Sequence, residues 1–245
     1  KHNQFRYLDT GSELRDEIFE TIRTAEKFIH LSYFELFSDR MGYMVMAALI
    51  ANRLGLKSPA SLAKVGRILG VPGPINSNED ADVPYRTGPI PSEEFTKPSK
   101  DALIANAQKL FSTLNSVGSS GLNARPIRLY IDDFKKLKGK LTKAGIIGAL
   151  EIFGIEIKKE SGILSYSTNH TKLTSSEKRA VVSGGNPVDK VMDWTHLRRW
   201  RDAAILIEGE LVDDLNLFFM SKFFNKKHGE LKAFLETDYC KGSES

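Results

Sequence analysis

The chain has 245 residues, long enough to bury a substantial core. Its 41% hydrophobic and 27% charged residues are ordinary for a globular protein, and a net charge of +4 suits anionic partners (phosphates, nucleic acid, acidic lipid headgroups) without choosing among them. The single cysteine, Cys240, excludes an internal disulfide framework and a cysteine-rich zinc site.

Residues 11–28, "GSELRDEIFETIRTAEKF", predict a helix: Leu14, Ile18, Phe19 and Ile22 recur at helical spacing and Ser12 is placed to cap the start. "KFIHLSYFEL" (27–36) reads as a strand rich in β-branched and aromatic residues. The apolar run "MGYMVMAALIA" (41–51) is too short to span a bilayer and meets Asn52 and Arg53 at once, so 41–54 reads as a buried helix. Helix, strand and helix in that order point to α/β layering.

From about 57 to 125 the character changes. Seven of the nine prolines lie between Pro59 and Pro98, and most of this proline-rich insert lacks helical or strand periodicity. Long irregular excursions of this kind commonly serve as lids or mobile segments. Only "KDALIANAQKLFSTL" (100–114) reads as a helix within it. Regular structure resumes with a strand at 125–134, a helix at 138–154 and a short strand at 155–160. The end of the chain predicts a strand at 203–208, a turn at Gly209 and an amphipathic helix at 211–224.

Between these lies "NHTKLTSSEKRAVVSGGN" (169–186), which reads as a β-hairpin. Side chains alternate along a strand, so His170 and Lys172 share one face while Thr171 and Leu173 share the other. Alone, His-x-Lys is a weak signal, because a strand histidine is ordinarily a hydrogen-bonded core residue and a lysine ordinarily solvated. Here the pair is followed by Glu177 and then by Gly184, Gly185 and Asn186. The composite resembles the half-site signature of the phospholipase D superfamily: His-x-Lys, four residues, Asp, six residues, Gly-Gly or Gly-Ser, any residue, Asn. The likeness extends to both flanks, over roughly 5–55 and 125–225, and is similar to the cardiolipin synthase-like members; the proline-rich insert is unmatched.

Two departures stand out. Glu177 replaces the usual Asp, and Asn186 comes one residue early, so either the hairpin is one residue shorter or Pro187 stands at the usual Asn position.

The resemblance implies an α/β fold in which a mixed β-sheet is flanked by helices on both faces, a phospholipase D-like half-domain spanning 1–245. It implies His170, Lys172 and Glu177 as catalytic residues, and Lys172, Gly184, Gly185 and Asn186 as phosphate-binding residues, with no metal and no cofactor. A neutral imidazole attacks phosphorus to give a phosphohistidine, and a cation and an amide stabilise charge on the phosphoryl oxygens. Glycines let the backbone approach closely.

Nucleophile and general acid must be different groups, since one imidazole cannot be deprotonated and protonated at once. The histidines are His2, His30, His170, His196 and His228, and His170 alone lies in the motif. A second motif-bearing half is therefore expected from a homodimer mate, a separate chain, or the remainder of a longer protein. His30 reads as a hydrogen-bonded core residue; His196 and the cluster Trp194, Arg198, Arg199, Trp200 and Arg201 are candidate headgroup or base contacts, against a structural role for the tryptophans. The expected substrate is a phospholipid, with a membrane surface as an accompanying partner and the compartment left open. Two other functions fit: a dimeric, metal-independent nuclease with nucleic acid as substrate, and a non-catalytic binding module with a decayed site.

Overall fold

The structure, a computed structural model, describes residues 2–33, 36, 38–71, 97–116, 125–132, 144–160, 171–188, 203–227 and 230–231. His170, His196, His228, Trp194, Trp200, Arg198, Arg199, Arg201, Cys240 and residues 72–96 and 117–124 of the proline-rich insert lie outside the described residues.

Strand β1 (Gln4–Leu8) leads into α1 (Gly11–Thr24), β2 (Ile29–Tyr33) and α2 (Arg40–Arg53). Helix α1 starts two residues earlier than Ser12 as cap would dictate. Thr10 is the cap, accepting the Glu13 backbone N–H at 3.1 Å while the Glu13 carboxylate accepts the Thr10 N–H at 3.2 Å. This reciprocal pair in T-x-x-E satisfies two otherwise orphaned donors. Helix α2 is buried nearly all round, as its uninterrupted apolar run predicts.

The expectation of an irregular excursion from residue 57 is corrected at its start, while the helix expected at 100–114 is present. Helix α3 (Pro59–Leu69) begins with Ser58 capping Ser61 N–H at 3.1 Å and Pro59 at the first helical position, where a missing N–H costs nothing. Helix α4 (Lys100–Ser116) packs against it through Asn106 Nδ2, which donates to the Leu69 carbonyl at 3.2 Å.

Next come β3 (Ile127–Asp132), α5 (Ala144–Ile152), β4 (Glu156–Glu160), the hairpin β5 (Lys172–Ser175) and β6 (Arg179–Ser183), β7 (Ala204–Glu208) and the terminal helix α6 (Leu211–Phe224). Gly209 makes the turn into α6 with φ +113°, and a Cβ there would sit 2.8 Å from the Asn3 side chain, which itself accepts the Leu211 N–H at 2.9 Å.

The seven strands form one sheet in the order β1-β7-β6-β5-β2-β3-β4. Strands β2, β3 and β4 run parallel; every other neighbouring pair is antiparallel. The sheet is therefore mixed. Its larger apolar core joins Leu31, Ile29 and Leu129 to Leu14, Ile18, Phe19 and Ile22 of α1 and to α2 and α5. A smaller core on the opposite face joins Phe28, Tyr130, Leu173 and Ile207 to Val212, Phe219, Met220 and Phe223 of α6. Helices cover both faces, as the parallel strands require.

Candidate active site at the open edge of the sheet

Strand order reverses at one place. From β2 the chain moves to β3 and then outward to β4, and it returns to the other side of β2 as β5. In open α/β sheets the crevice at such a reversal, beyond the carboxyl ends of the parallel strands, is where ligands are held. Lys172 stands there. The β2–β5 ladder stops at Ser32 opposite Leu173, whereas the β5–β6 ladder continues one pair further, to Lys172 opposite Ser183. So β2 and β5 part beside Lys172.

Gly184, Gly185 and Asn186 follow Ser183 directly and lie at the same end of the sheet. Their backbone is pinned: Gly184 N–H donates to the Ala203 carbonyl at 3.0 Å, and Ser183 Oγ donates to the Gly185 carbonyl at 2.8 Å. Positive φ among the described glycines occurs at Gly55, Gly70, Gly154 and Gly209, not at this pair. Backbone conformation therefore does not demand glycine at 184 and 185. Asn186 is half-buried and Pro187 buried.

Two helices begin at this edge. Helix α1 follows the carboxyl end of β1, and α2 runs back from the carboxyl end of β2 until Asn52 Nδ2 reaches the Ile22 carbonyl at 2.7 Å at the far side. Both present the positive end of their dipoles here, where negative charge is favoured. Asp39 caps α2 by accepting the Gly42 N–H at 2.9 Å. Lys172 is 6% exposed. Lys172 shares a strand face with Thr174, whose hydroxyl pairs with that of Tyr33, while Leu173 and Ser175 face α6. Burial holds the Tyr33 hydroxyl protonated by raising its pKa.

Glu177 does not join this group, which corrects its assignment as a catalytic residue. It sits in the β5–β6 turn, with the length of β5 between it and Lys172, about 16 Å at roughly 3.3 Å per residue. Its side chain is 4% exposed and accepts the backbone N–H groups of Glu26 at 3.1 Å and Lys27 at 3.2 Å. Glu177 thus braces the hairpin turn against the α1–β2 loop.

His30 is the hydrogen-bonded core residue expected of it. It is fully buried and stacked between Phe28 and Phe219, each at 4.5 Å between ring centres. Nδ1 donates to Asn216 Oδ1 at 2.9 Å and Nε2 accepts from Arg128 Nη1 at 3.3 Å, which defines a neutral ring. Burial first, then the Arg128 charge, pushes its pKa down to about 3. Asn216 completes the knot by accepting from Ser175 Oγ at 2.8 Å and donating to the carbonyls of Ser176 and Val212 at 2.9 and 3.0 Å. Neither Ser32 nor Asn216 carries a spacing signal that would single it out beforehand; both declare themselves through contacts between distant elements.

No protein-family model and no curated protein matches the chain. Among solved structures, a phosphatidylserine synthase from Haemophilus influenzae Rd KW20 superposes with a TM-score of 0.50 at 13% identity, over 89% of this chain and 36% of that one. The two share an α/β fold, a mixed sheet with helices on both faces. This chain thus spans about a third of the length of that synthase. A polyphosphate kinase from Porphyromonas gingivalis (TM-score 0.40, 11% identity, 89% of this chain, 25% of that one) and TrmBL2, an archaeal chromatin protein (0.36, 7%, 91% and 53%), superpose too loosely to carry weight.

Proposed function

We propose that this chain is one half of a phospholipase D-type phosphodiesterase that hydrolyses or transfers phosphatidyl groups. The observation that carries this reading is the meeting of Lys172 with Gly184, Gly185 and Asn186 where β2 and β5 part, beside two helix N-termini. Such an edge suits a phosphodiester: a cation, backbone free of side chains, and dipoles of the right sign. The fold shared with a phosphatidylserine synthase supports a lipid phosphodiester as substrate.

In the proposed reaction an imidazole nitrogen of His170 attacks phosphorus, the P–O bond to the headgroup alcohol breaks, and that alcohol takes a proton from the histidine of a second half. Water or another alcohol then attacks the phosphohistidine, giving its proton back to the histidine of the second half, the P–N bond breaks, and phosphatidic acid or a new phosphatidyl ester leaves. Lys172 and Asn186 offset charge on the non-bridging oxygens throughout. Nothing in this cycle calls for a redox partner.

The test offers phospholipid vesicles and DNA to the purified chain and to its His170→Ala variant. Headgroup release that disappears with His170→Ala is the expected result. Retained turnover in that variant overturns the mechanism. Cleavage of DNA with vesicles untouched makes the chain a nuclease, and no phosphohistidine even from an activated phosphodiester, whose leaving group needs no proton from a second half, makes it a binding module.

A further inference from the structure

We infer that Ser32 is a positioning residue: its hydroxyl, donating to the Thr171 carbonyl at 3.3 Å, sets the backbone between His170 and Lys172. The inference rests on the site reading proposed above.

Three observations carry it. The Ser32–Leu173 pair is the last rung of the β2–β5 ladder, so beyond it the backbone of β2 no longer holds β5. The Ser32 side chain reaches across that opening to the next carbonyl along, which belongs to the peptide plane joining Thr171 to Lys172. Because a peptide unit is planar, fixing its carbonyl also fixes the direction of the Lys172 N–H and with it the start of the Lys172 side chain. Second, Ser32 is 3% exposed within a strand whose neighbours are Leu31 and Tyr33. A buried hydroxyl costs stability unless it is hydrogen-bonded, so apolar packing alone does not account for serine here. Third, the neighbouring residue does the matching task on the other face, where the hydroxyls of Tyr33 and Thr174 pair. Consecutive residues of β2 thus hold β5 from opposite faces, Tyr33 at Thr174 and Ser32 three residues nearer the motif, at Thr171.

A positioning role differs from a merely structural one in what it moves. Lost grip misplaces Lys172 relative to the phosphorus, which acts on the transition state more than on ground-state binding. Global stability, set by the two cores, changes little.

The test uses bis(4-nitrophenyl) phosphate, a phosphodiester whose leaving group departs without protonation, with the whole chain as it stands. Ser32→Ala is expected to lower kcat about tenfold at a KM within about twofold, with little change in Tm, and Ser32→Thr, which keeps the hydroxyl, is expected to restore most of it. Amide hydrogen exchange over residues 171–173 is expected to quicken about tenfold in Ser32→Ala while the Ser175–Ser176 end is unchanged. Should Ser32→Ala not fold, Ser32→Cys carries the same expectation. Unchanged kcat and unchanged exchange in the folded variant overturn the positioning role. His170→Ala separates the two ideas: inactive His170→Ala with a wild-type-like Ser32→Ala sinks Ser32 alone, whereas an active His170→Ala sinks the proposed reaction whatever Ser32 does.

Discussion

The two ends of β5 use similar residues for different purposes. At the hairpin-turn end, Ser175, Asn216, His30 and Glu177 are buried or nearly so, and each has its polar atoms matched by named partners. At the opposite end, Lys172 and the Gly184–Asn186 segment lie where the ladder opens and two helix dipoles converge. A histidine, a carboxylate or an asparagine is thus no sign of chemistry by itself. What distinguishes the ends is their place in the sheet: one is closed by the β5–β6 turn, and the other lies where β2 and β5 part.

The largest effect expected of this contrast is at Lys172. Lys172→Met keeps the length of the side chain and removes its charge, so the fold is expected to survive while phosphodiester turnover falls about a thousandfold, as for loss of a preorganised electrostatic contact. Steady-state rates beside a thermal melt decide it. Wild-type turnover in this variant would strip the open end of its functional meaning.

At the turn end the same experiment inverts. Asn216→Ala removes four hydrogen bonds and leaves the His30 Nδ1–H, the Ser175 hydroxyl and two carbonyls without their partner in a dry site. It is expected to cost about 3 kcal/mol in urea unfolding, with turnover per folded molecule preserved. A stable but inactive Asn216→Ala would blur the division between the ends.

His30 sharpens the contrast through pH. Its folded-state pKa near 3 lies below the ordinary 6.5, so the unfolded chain takes up the proton first. The stability tied to a neutral His30 is whole above about pH 6.5 and is lost progressively as pH falls toward 3, by about 1.4 kcal/mol per pH unit. Protonation would also set an imidazolium against the Arg128 guanidinium, the nearest charge to its ring. Urea unfolding at pH 7 and at about pH 4.5 should therefore differ by roughly 2–3 kcal/mol from this group, and His30→Gln should flatten that share of the slope. An identical slope in the variant would show that other groups carry the acid sensitivity.

Much of this layout is readable from residue order, and the failures have physical causes. Strand β2, helix α2, the hairpin, β7 and α6 follow from periodicity because each has one strongly apolar face or run. Strand β1 escapes notice because it lies at the sheet edge with four of its five residues exposed, and its Gln-Phe-Arg-Tyr alternation is too short to stand out. Helix α3 is obscured by Pro59, a residue that breaks helices inside but starts them at the first position. That Lys172 and the glycine pair lie at one end of the sheet is legible, because it follows from hairpin register. Glu177 is misread because a spacing along the chain says nothing about which end of a strand a side chain serves.

Glu177 also supplies the smallest and most discriminating prediction. In Glu177→Gln the amide oxygen can still accept one of the two backbone N–H groups, while the charge and the second acceptor oxygen are lost. The expected cost is about 1–2 kcal/mol of stability, since hydrogen bonds to a charged acceptor are stronger than neutral ones. No change in kcat is expected, because Lys172 lies the full length of β5 away. A catalytic carboxylate would behave in the opposite way, with a large fall in kcat, an altered acid limb of the pH–rate profile and an unchanged melt. The two results cannot be confused, so this one conservative change decides whether the turn end of β5 belongs to the scaffold or to the chemistry.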